Sequence, residues 1–346
     1  MRWTKFLIVS AVSIANLTSL SCNKRAPDRV EQMTLQLNWY HDPSFAGEYA
    51  AAASGTPRIS VTEGGPNVSP INEVVSGRAT AAVVGADIFL EALDKAGPQG
   101  LGAQCIFVDF QRNPVGWVVH PKVAERAGLN ASVLAQPKAL NAWLFTKFLD
   151  KTISAGDKRG TETTSVWLQW AKRHNAEQVR VLPVGFDSAI VLTAPTLAYP
   201  VYLNEEPFQL SEKIGKPVVV FDPAVDGVEL YGNIVIVASS FAAAHPEEVR
   251  QLQTRLRNGW ISVRADPESN TKRVSTYYKG GNEAVIRSQL NRTTEFVFYS
   301  ADKPGTMDIT DNGKWKQTLV ALQEAGLISR NLTLDRIRKE MIMPQQ

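Results

Sequence analysis

Residues 35–51 read LQLNWYHDPSFAGEYAA, and this stretch predicts a strand, a loop and a helix in that order. Leu35 and Leu37 alternate with polar residues, as in a short half-buried strand. The His-Asp-Pro triplet at 41–43 is a turn signal, and the alanine-rich sequence from Ala46 favours a helix. The loop between strand and helix therefore carries three aromatic side chains: Trp39, Tyr40 and Phe45. In open α/β sheets ligands bind at such loops, and this one favours a flat organic ligand.

The sequence after this stretch continues the alternation of strands and helices. Predicted strands cover residues 58–63, 79–85 and 105–110, and predicted helices cover 70–76 and 88–95. This order predicts a parallel sheet with right-handed crossover connections.

A second unit of the same kind follows in the middle of the chain. Predicted strands cover residues 151–155, 178–184, 197–203 and 217–221, with a helix at 161–174. The chain then returns through a strand at 231–238 and closes with helices at 246–265, 282–289 and 311–325. The chain of 346 residues is longer than a typical domain with one hydrophobic core, which predicts two lobes.

Two segments marked by Pro and Gly, residues 111–116 and 222–232, are the predicted crossings between the lobes. Two crossings build one lobe from both ends of the chain and the other from its middle. We assign residues 33–118 and 222–346 to lobe one and residues 119–221 to lobe two. The predicted fold class is α/β, with each lobe a mainly parallel sheet flanked by helices.

The amino terminus predicts export. Arg2 and Lys5 precede an apolar run, which is the pattern of a signal peptide over residues 1–21. The sequence Ser19-Leu-Ser-Cys22 resembles the bacterial lipoprotein signal, in which the cysteine is lipidated, although Ser19 stands where Leu is usual. Lipidation of Cys22 would anchor the chain to a bilayer, with residues 22–32 as a polar tether. The alternative is ordinary cleavage, which leaves a free thiol.

Composition excludes several classes of function. Removal of residues 1–21 lowers the formal net charge from +3 to about +1, which gives no electrostatic basis for binding nucleic acid. Cys105 would be the second cysteine beside Cys22 and reads as a buried structural thiol, so neither a disulfide framework nor a cysteine metal site is expected. The four histidines are scattered without ligand spacing, and no nucleophile–base pair stands out. We expect no metal, no cofactor and no enzymatic activity.

Six motifs, in order, carry a family resemblance. They are LNWYHDPSFAGEYAA, EGGPNVSPINEVVSGRATAAVVGAD, FQRNPVGWVVH, LPVGFD, AYPVYLNEEPFQL and YGNIVIVASSFAAAHPEEVR, spread over most of residues 33–330. Together they resemble the periplasmic substrate-binding proteins of ABC importers, in the branch that binds thiamine pyrimidine precursors, riboflavin and, more distantly, alkanesulfonates and nitrate. The resemblance implies a monomeric Venus-flytrap protein that holds a small molecule between its lobes. It also implies delivery to a membrane permease powered by a cytoplasmic ATPase.

The chain departs from this family in two places. The Gly-Tyr-Phe turn that usually follows the first helix is absent, and residues 121–150 match no family segment. Pyrimidine synthases share the fold but depend on a cysteine-rich motif that this chain lacks, so a catalytic function is disfavoured. A lipoprotein sensor or scaffold without transport is a further alternative.

The candidate ligand-binding residues come from strand ends, the crossings and the family resemblance: Asn38, Trp39, Tyr40, Phe45, Gly64, Gly65, Asp87, Gln111, Glu162, Tyr199, Tyr202, Asn204, Glu205 and Tyr231. Trp39 and Tyr199 or Tyr202 are predicted to sandwich a heteroaromatic ring, with Glu205 accepting its N–H.

Several of these residues also have a structural alternative to ligand binding. Trp39 or Tyr40 could pack into the core, Gly64 and Gly65 could form a plain turn, and Asp87 could cap a helix. Glu205 or Glu206 is expected to cap the helix that begins at Pro207. The helix start at Thr161 could bind a small sulfonate or nitrate-type anion, although Glu162 would repel it.

Overall fold

The computed structural model describes residues 30–53, 55–299 and 312–342, so the predicted signal peptide and Cys22 lie outside the described residues. The described chain forms two five-stranded sheets. The strands are β1 Gln32–Gln36, β2 Arg58–Thr62, β3 Ala81–Gly85, β4 Ala103–Val108, β5 Val115–Val119, β6 Ser154–Asp157, β7 Val181–Pro183, β8 Leu197–Tyr202, β9 Val219–Phe221 and β10 Asn233–Ala238.

Helices cover both sheets. They are α1 Ala46–Ala52, α2 Pro70–Val75, α3 Ala86–Ala96, α4 Lys122–Arg126, α5 Ala131–Leu134, α6 Pro137–Leu149, α7 Glu162–Arg173, α8 Ile190–Thr193, α9 Glu206–Ile214, α10 Ser239–Ala244, α11 Pro246–Ala265, α12 Pro267–Tyr277, α13 Glu283–Val297, α14 Asn312–Glu324 and α15 Leu334–Lys339. None of the described helices is long and apolar enough to cross a membrane.

The two sheets have equivalent topologies. Sheet one has the order β2-β1-β3-β10-β4 and sheet two the order β7-β6-β8-β5-β9. In each sheet, the first three strands of this order run parallel to one another. The fourth, β10 in sheet one and β5 in sheet two, runs antiparallel to both of its neighbours. The α/β class with mainly parallel sheets is confirmed: in each sheet four strands share one direction, and one strand, β10 or β5, runs against them. Strand β10 lies between β3 and β4, and strand β5 lies between β8 and β9.

Close backbone packing fixes the helix layer on sheet one. Helix α11 begins with Pro246 and buries Leu252, Leu256 and Trp260. Its Gly259 meets α1 so closely that a Cβ there would lie 2.2 Å from the carbonyl oxygen of Gly47. Only glycine allows this approach, which anchors α1 and the loop before it.

Two adjacent segments connect the sheets, residues 109–114 and 222–232. Asn113 N–H donates to Leu230 O at 2.7 Å, Gly232 N–H donates to Phe110 O at 3.0 Å, and Arg112 forms an ion pair with Asp222. The predicted crossings fall on these segments. Strand β5 starts at residue 115 and belongs to sheet two, whereas the predicted boundary left residues up to 118 with lobe one.

Residues 121–150, which match no segment of the resembled family, form helices α4 to α6, which pack on sheet two. Leu144 and Phe148 of α6 are buried in a cluster with Trp167, Trp170 and Phe221. The strand predicted at 151–155 begins three residues later, because Lys151 adopts a left-handed conformation (φ 64°) that ends α6 in a turn. The helix predicted at 282–289 extends to Val297.

Candidate functional site

A cavity of about 410 Å³ lies between the two sheets. Its walls come from the loops that follow β1, β2 and β3 of sheet one and β6, β7 and β8 of sheet two. These six strands are the parallel ones, and their carboxyl ends point toward the cavity from both sides. Parallel strands bring such loops together at one sheet edge, where ligands bind in open α/β folds. The volume is in the range of small-molecule sites, about 300–1,000 Å³. We call this cavity the cleft.

Hydrogen bonds across the rim hold the two sides of the cleft together. Asn204 Nδ2, which follows β8, donates to Ser44 Oγ and to Thr293 Oγ1, both at 2.9 Å. Gln289 Nε2 donates to Glu205 O at 3.3 Å. Helix α14 packs against both α3 and α7. The structure is therefore that of a closed cleft.

Aromatic side chains from both sides meet at the cleft. Trp39 is half-buried, and its ring centroid lies 5.1 Å from that of Phe186, which follows β7. Tyr40 packs edge-on against Trp39 at 5.4 Å and is 51% exposed. Since Trp39 and Phe186 touch, no ring fits between them in this arrangement, and a ligand ring would lie against a face of one of them.

Asp42 and Glu205 form a carboxyl pair across the cleft. Asp42 begins the short 3-10 helix Pro43–Phe45, and its Oδ1 accepts from Ser44 N at 2.6 Å. Its carboxyl group is also hydrogen-bonded to that of Glu205. Burial raises the pKa of Asp42 to about 7, and burial together with the negative charge of Asp42 raises the pKa of Glu205. Two carboxyl groups this close cannot both ionise cheaply.

Asp87 and Glu162 form a second acidic pair across the cleft. Asp87 accepts from Ser165 Oγ on α7, and Glu162 Oε2 accepts from Tyr202 O–H. Burial, followed by the charge of Asp87, raises the pKa of Glu162 to about 8. Burial raises the pKa of Asp87 to about 6.

Basic groups in the cleft are fewer. Lys158 Nζ lies 3.3 Å from Glu206 Oε1 and 4.8 Å from the ring centroid of Tyr199. Glu206 Oε2 also accepts from Tyr202 N at 2.8 Å, so Glu206 is held at the start of α9 and Glu205 is left to face Asp42. Arg159 lines the cleft, is exposed, and has no ion pair among the described residues.

Half of the candidate residues line the cleft, namely Asn38, Trp39, Phe45, Gly65, Glu162, Tyr202 and Glu205. Of the others, Tyr40 lies behind Trp39, and Gly64 packs on the strand end, where a Cβ would lie 2.2 Å from Leu37 O. Asp87 does not line the cleft. It lies on α3 and accepts a hydrogen bond from Ser165 Oγ on α7, which links the two helices.

Four further candidates lie outside the lining of the cleft and make contacts within the protein. Gln111 Nε2 donates to Val108 O at 3.3 Å within the first connection. Tyr199 is fully buried and donates to Gly185 O at 2.8 Å. Asn204 forms the rim bonds described above. Tyr231 is fully buried against Trp315, with ring centroids 4.9 Å apart. Of the predicted ring partners of Trp39, Tyr202 lines the cleft and Tyr199 does not.

Five charged or aromatic residues line the cleft that are not among the sequence candidates: Asp42, Lys158, Arg159, Phe186 and Glu206. Phe186 stands in the LPVGFD motif after a predicted strand, and Asp42 stands in the turn signal, so position relative to strand ends could have identified both. Within the described residues no group of His, Cys, Asp and Glu is arranged to hold a metal ion. Cys105 is buried, which raises the pKa of its thiol to about 12.

Known structures share this architecture. The alkanesulfonate-binding protein SsuA from Xanthomonas axonopodis pv. citri, solved with MOPS, aligns over 91% of this chain and 99% of that protein with a TM-score of 0.61 and 14% identity. The ligand-binding component of an ABC-type import system from Staphylococcus aureus, solved with zinc, aligns over 91% and 97% with a TM-score of 0.60 and 10% identity. The nitrate-binding protein NrtA from Synechocystis PCC 6803 aligns over 91% and 86% with a TM-score of 0.56 and 12% identity.

The chain therefore has the two-lobed fold of the periplasmic solute-binding proteins, as the sequence motifs predicted. Residues 163–270 match the family model described as NMT1/THI5 like. No curated protein sequence matches the chain significantly. At these identities the structural likeness establishes the fold alone.

Proposed function

We propose that this protein is the extracytoplasmic solute-binding component of an ABC importer. It captures a small heteroaromatic nutrient, such as a thiamine pyrimidine precursor or a riboflavin-like molecule, and delivers it to a permease driven by a cytoplasmic ATPase. The fold and the closed cleft between two lobes support a binding role rather than a catalytic one. Closure is a hinge motion, and a ligand favours the closed form only through contacts that the open form lacks.

The aromatic and acidic side chains that line the cleft support a heteroaromatic ligand. Trp39, Phe186 and Tyr202 offer aromatic faces, and the carboxyl groups of Glu162 and Glu205 offer acceptors for N–H groups. Aromatic contacts contribute about 0.5–1.5 kcal/mol beyond burial. A flat ring with amino or ring N–H groups would satisfy both kinds of contact.

A small sulfonate or nitrate-type anion is the alternative ligand. Arg159 has no ion pair among the described residues and stands just before the amino end of α7, where the helix dipole favours an anion. Against this, Glu162 is the first residue of α7 and lines the same wall.

Titration calorimetry would decide between these ligand classes. The purified protein is titrated with aminopyrimidine precursors of thiamine and with riboflavin, and in parallel with alkanesulfonates, taurine and nitrate. Mass spectrometry of any small molecule that co-purifies provides an independent identification. We expect binding in the heteroaromatic series. Binding of the small anions alone would overturn the proposed ligand class.

We also propose that the protein is a monomer held at the outer side of a bacterial membrane through lipidated Cys22. The sequence at 19–22 supports the anchor. A polar segment before the first strand would let the folded lobes reach a permease in the same membrane.

A further inference from the structure

We infer that the cleft takes its ligand as an organic cation with N–H donors, which replaces protons held by two carboxyl pairs that face each other across the closed cleft. This inference rests on the proposed binding function and narrows its ligand class. The chemistry expected is that of an amidinium or aminopyrimidinium group on an aromatic ring.

The arrangement of the acidic groups is the first observation. Asp42 and Asp87 follow strands of sheet one, whereas Glu205 and Glu162 follow strands of sheet two. Each pair therefore forms only when the cleft closes. Asp42 and Glu162 are 4% and 6% exposed, so closure removes both from water. A buried carboxylate needs a proton, a donor or a cation beside it.

An unsatisfied acceptor is a second and independent observation. Asn38 lines the cleft, and its Nδ2 donates to Asn233 Oδ1 at 3.0 Å. Its Oδ1 is buried and has no hydrogen-bond partner. A buried acceptor without a donor disfavours the closed form, and a ligand that carries an N–H group would relieve that cost.

The cations already in the cleft offset these pairs only in part: Lys158 lowers the pKa of Glu205, but burial and the charge of Asp42 still hold it above its ordinary value. Lys158 pairs with Glu206 and lies over Tyr199, and Arg159 extends to solvent. The aromatic faces of Trp39 and Phe186 also suit a cation, because the negative face of an aromatic ring attracts a cation that lies over it. A neutral or anionic ligand would leave the acidic pairs protonated and would not use them.

The direction of the pH dependence follows from the groups around the pairs. The titratable groups that act on them are Glu48, Tyr49, Glu91, Lys158, Tyr202, Glu206 and Tyr278, and Lys158 is the cation in this set. Burial, and less strongly the charge of Glu206, raises the pKa of Asp42 to about 7, and burial together with the charge of Asp87 raises the pKa of Glu162 to about 8. A permanent cation must displace these protons below pH 8, so its affinity should rise with pH by up to about tenfold per pH unit for each proton released.

The test uses matched probes on the wild-type protein. Benzamidine, an aromatic amidinium, is compared with its neutral isostere benzamide, and thiamine, a permanent cation, with neutral riboflavin. Methanesulfonate and nitrate represent the anions. Calorimetry from pH 6.0 to 8.5, in two buffers of different ionisation enthalpy, measures affinity and proton release together. We expect benzamidine to bind at least about tenfold more tightly than its isostere benzamide at pH 8, and thiamine to bind more tightly than riboflavin, with protons released when either cation binds.

Variants identify the carboxyl groups responsible. Glu205→Gln and Asp42→Asn should flatten the pH dependence of cation binding and lower affinity at pH 8. Glu63→Gln, an exposed carboxylate outside the cleft, is the control and should change neither. The wild-type pH profile does not depend on these variants folding.

The outcomes separate the inference from the proposed function. Neutral heteroaromatics that bind as tightly as the cations, or cation affinity that falls as pH rises, would overturn the inference and leave the heteroaromatic-binding function standing. Failure of every cation to bind at any pH would overturn it as well. Binding of methanesulfonate or nitrate alone would overturn both.

Discussion

Glu162 and Gly85 meet across the closed cleft with no room for another atom between them. A Cβ built on Gly85 would lie 2.2 Å from Glu162 Oε1, and 2.8 Å from Asp87 Oδ1. Gly85 ends β3 of sheet one, and Glu162 begins α7 beside sheet two. The absence of a side chain at Gly85 is therefore a condition for closure in this geometry.

Gly85→Ala should hinder closure. The backbone at Gly85 has φ −62°, which any residue adopts, so the effect is steric contact with the Glu162 carboxylate rather than backbone strain. We expect ligand affinity to fall at least about tenfold, corresponding to about 1.4 kcal/mol. Small-angle scattering should show that the compaction seen in wild type with saturating ligand is reduced.

Gly185→Ala is the matched control for that variant. Gly185 also lies near the cleft, but a Cβ there meets nothing within 4 Å. Its affinity and scattering profile should match those of wild type. If Gly85→Ala closes and binds like this control, the contact with Glu162 does not limit closure.

The alternation of strands and helices made the two-lobed fold predictable from sequence. Short-range patterns such as Leu35 and Leu37 before a turn identify strands, and Pro- and Gly-marked segments identified both connections. The antiparallel insertion of β10 was not predictable in this way, because strand direction inside a sheet depends on pairing between distant residues. Strand β6 begins later than its predicted start at residue 151, because Lys151 forms a left-handed turn that carries no strong sequence signal.

Residues that line the cleft were predictable where they lie at the end of a strand or in the loop that follows one. Tyr202 ends β8, Trp39 lies in the loop after β1, and Glu162 follows the loop after β6. Tyr199 lies in the core, three residues before the end of β8, whereas Tyr202 at the end of that strand lines the cleft. The contact between Asp42 and Glu205 could not be predicted from sequence, because the two residues lie far apart in the chain and meet only through the tertiary fold.

Lipidation of Cys22 is testable in the producing cell. Cys22→Ala should abolish incorporation of labelled fatty acid and either release the protein into the soluble fraction or leave an uncleaved precursor. Cys105→Ala is the control, because Cys105 is buried in the core and cannot be acylated in the folded protein. Wild-type protein that is already soluble without detergent would contradict the anchor.

Glu48 and Asp109 form a buried carboxyl pair in the helix layer of sheet one. Their carboxyl groups are hydrogen-bonded to each other, and Trp260 Nε1 donates to Asp109 Oδ1 at 3.0 Å. Burial raises the pKa of Asp109 to about 7, and burial together with the charge of Asp109 raises the pKa of Glu48. The folded state therefore holds protons that the unfolded chain has lost above about pH 4.

This pair should make the protein less stable as pH rises. Since the folded state binds more protons, the free energy of unfolding falls between about pH 4 and pH 7, and the acidic pairs of the cleft add to the same trend. Glu48→Gln keeps the shape and removes one titrating group. We expect the melting temperature of the ligand-free variant to fall less between pH 5 and pH 8, by at least about 2 °C. Exposed Glu177→Gln should retain the wild-type slope, and an unchanged slope in Glu48→Gln would refute the shared proton.

Trp39 and Phe186 contact each other at the cleft, and we expect Trp39 to contribute more to the binding free energy than Phe186 does. Trp39→Ala should weaken binding of the preferred heteroaromatic on the order of 30-fold, about 2 kcal/mol, because a desolvated aromatic anchor is lost. Phe186→Ala should weaken it less, because Phe186 is 43% exposed. Tyr40→Ala is the control, since Tyr40 packs behind Trp39 outside the cleft. Calorimetry on the three variants measures the order, and an effect of Tyr40→Ala as large as that of Trp39→Ala would show that the ligand lies elsewhere.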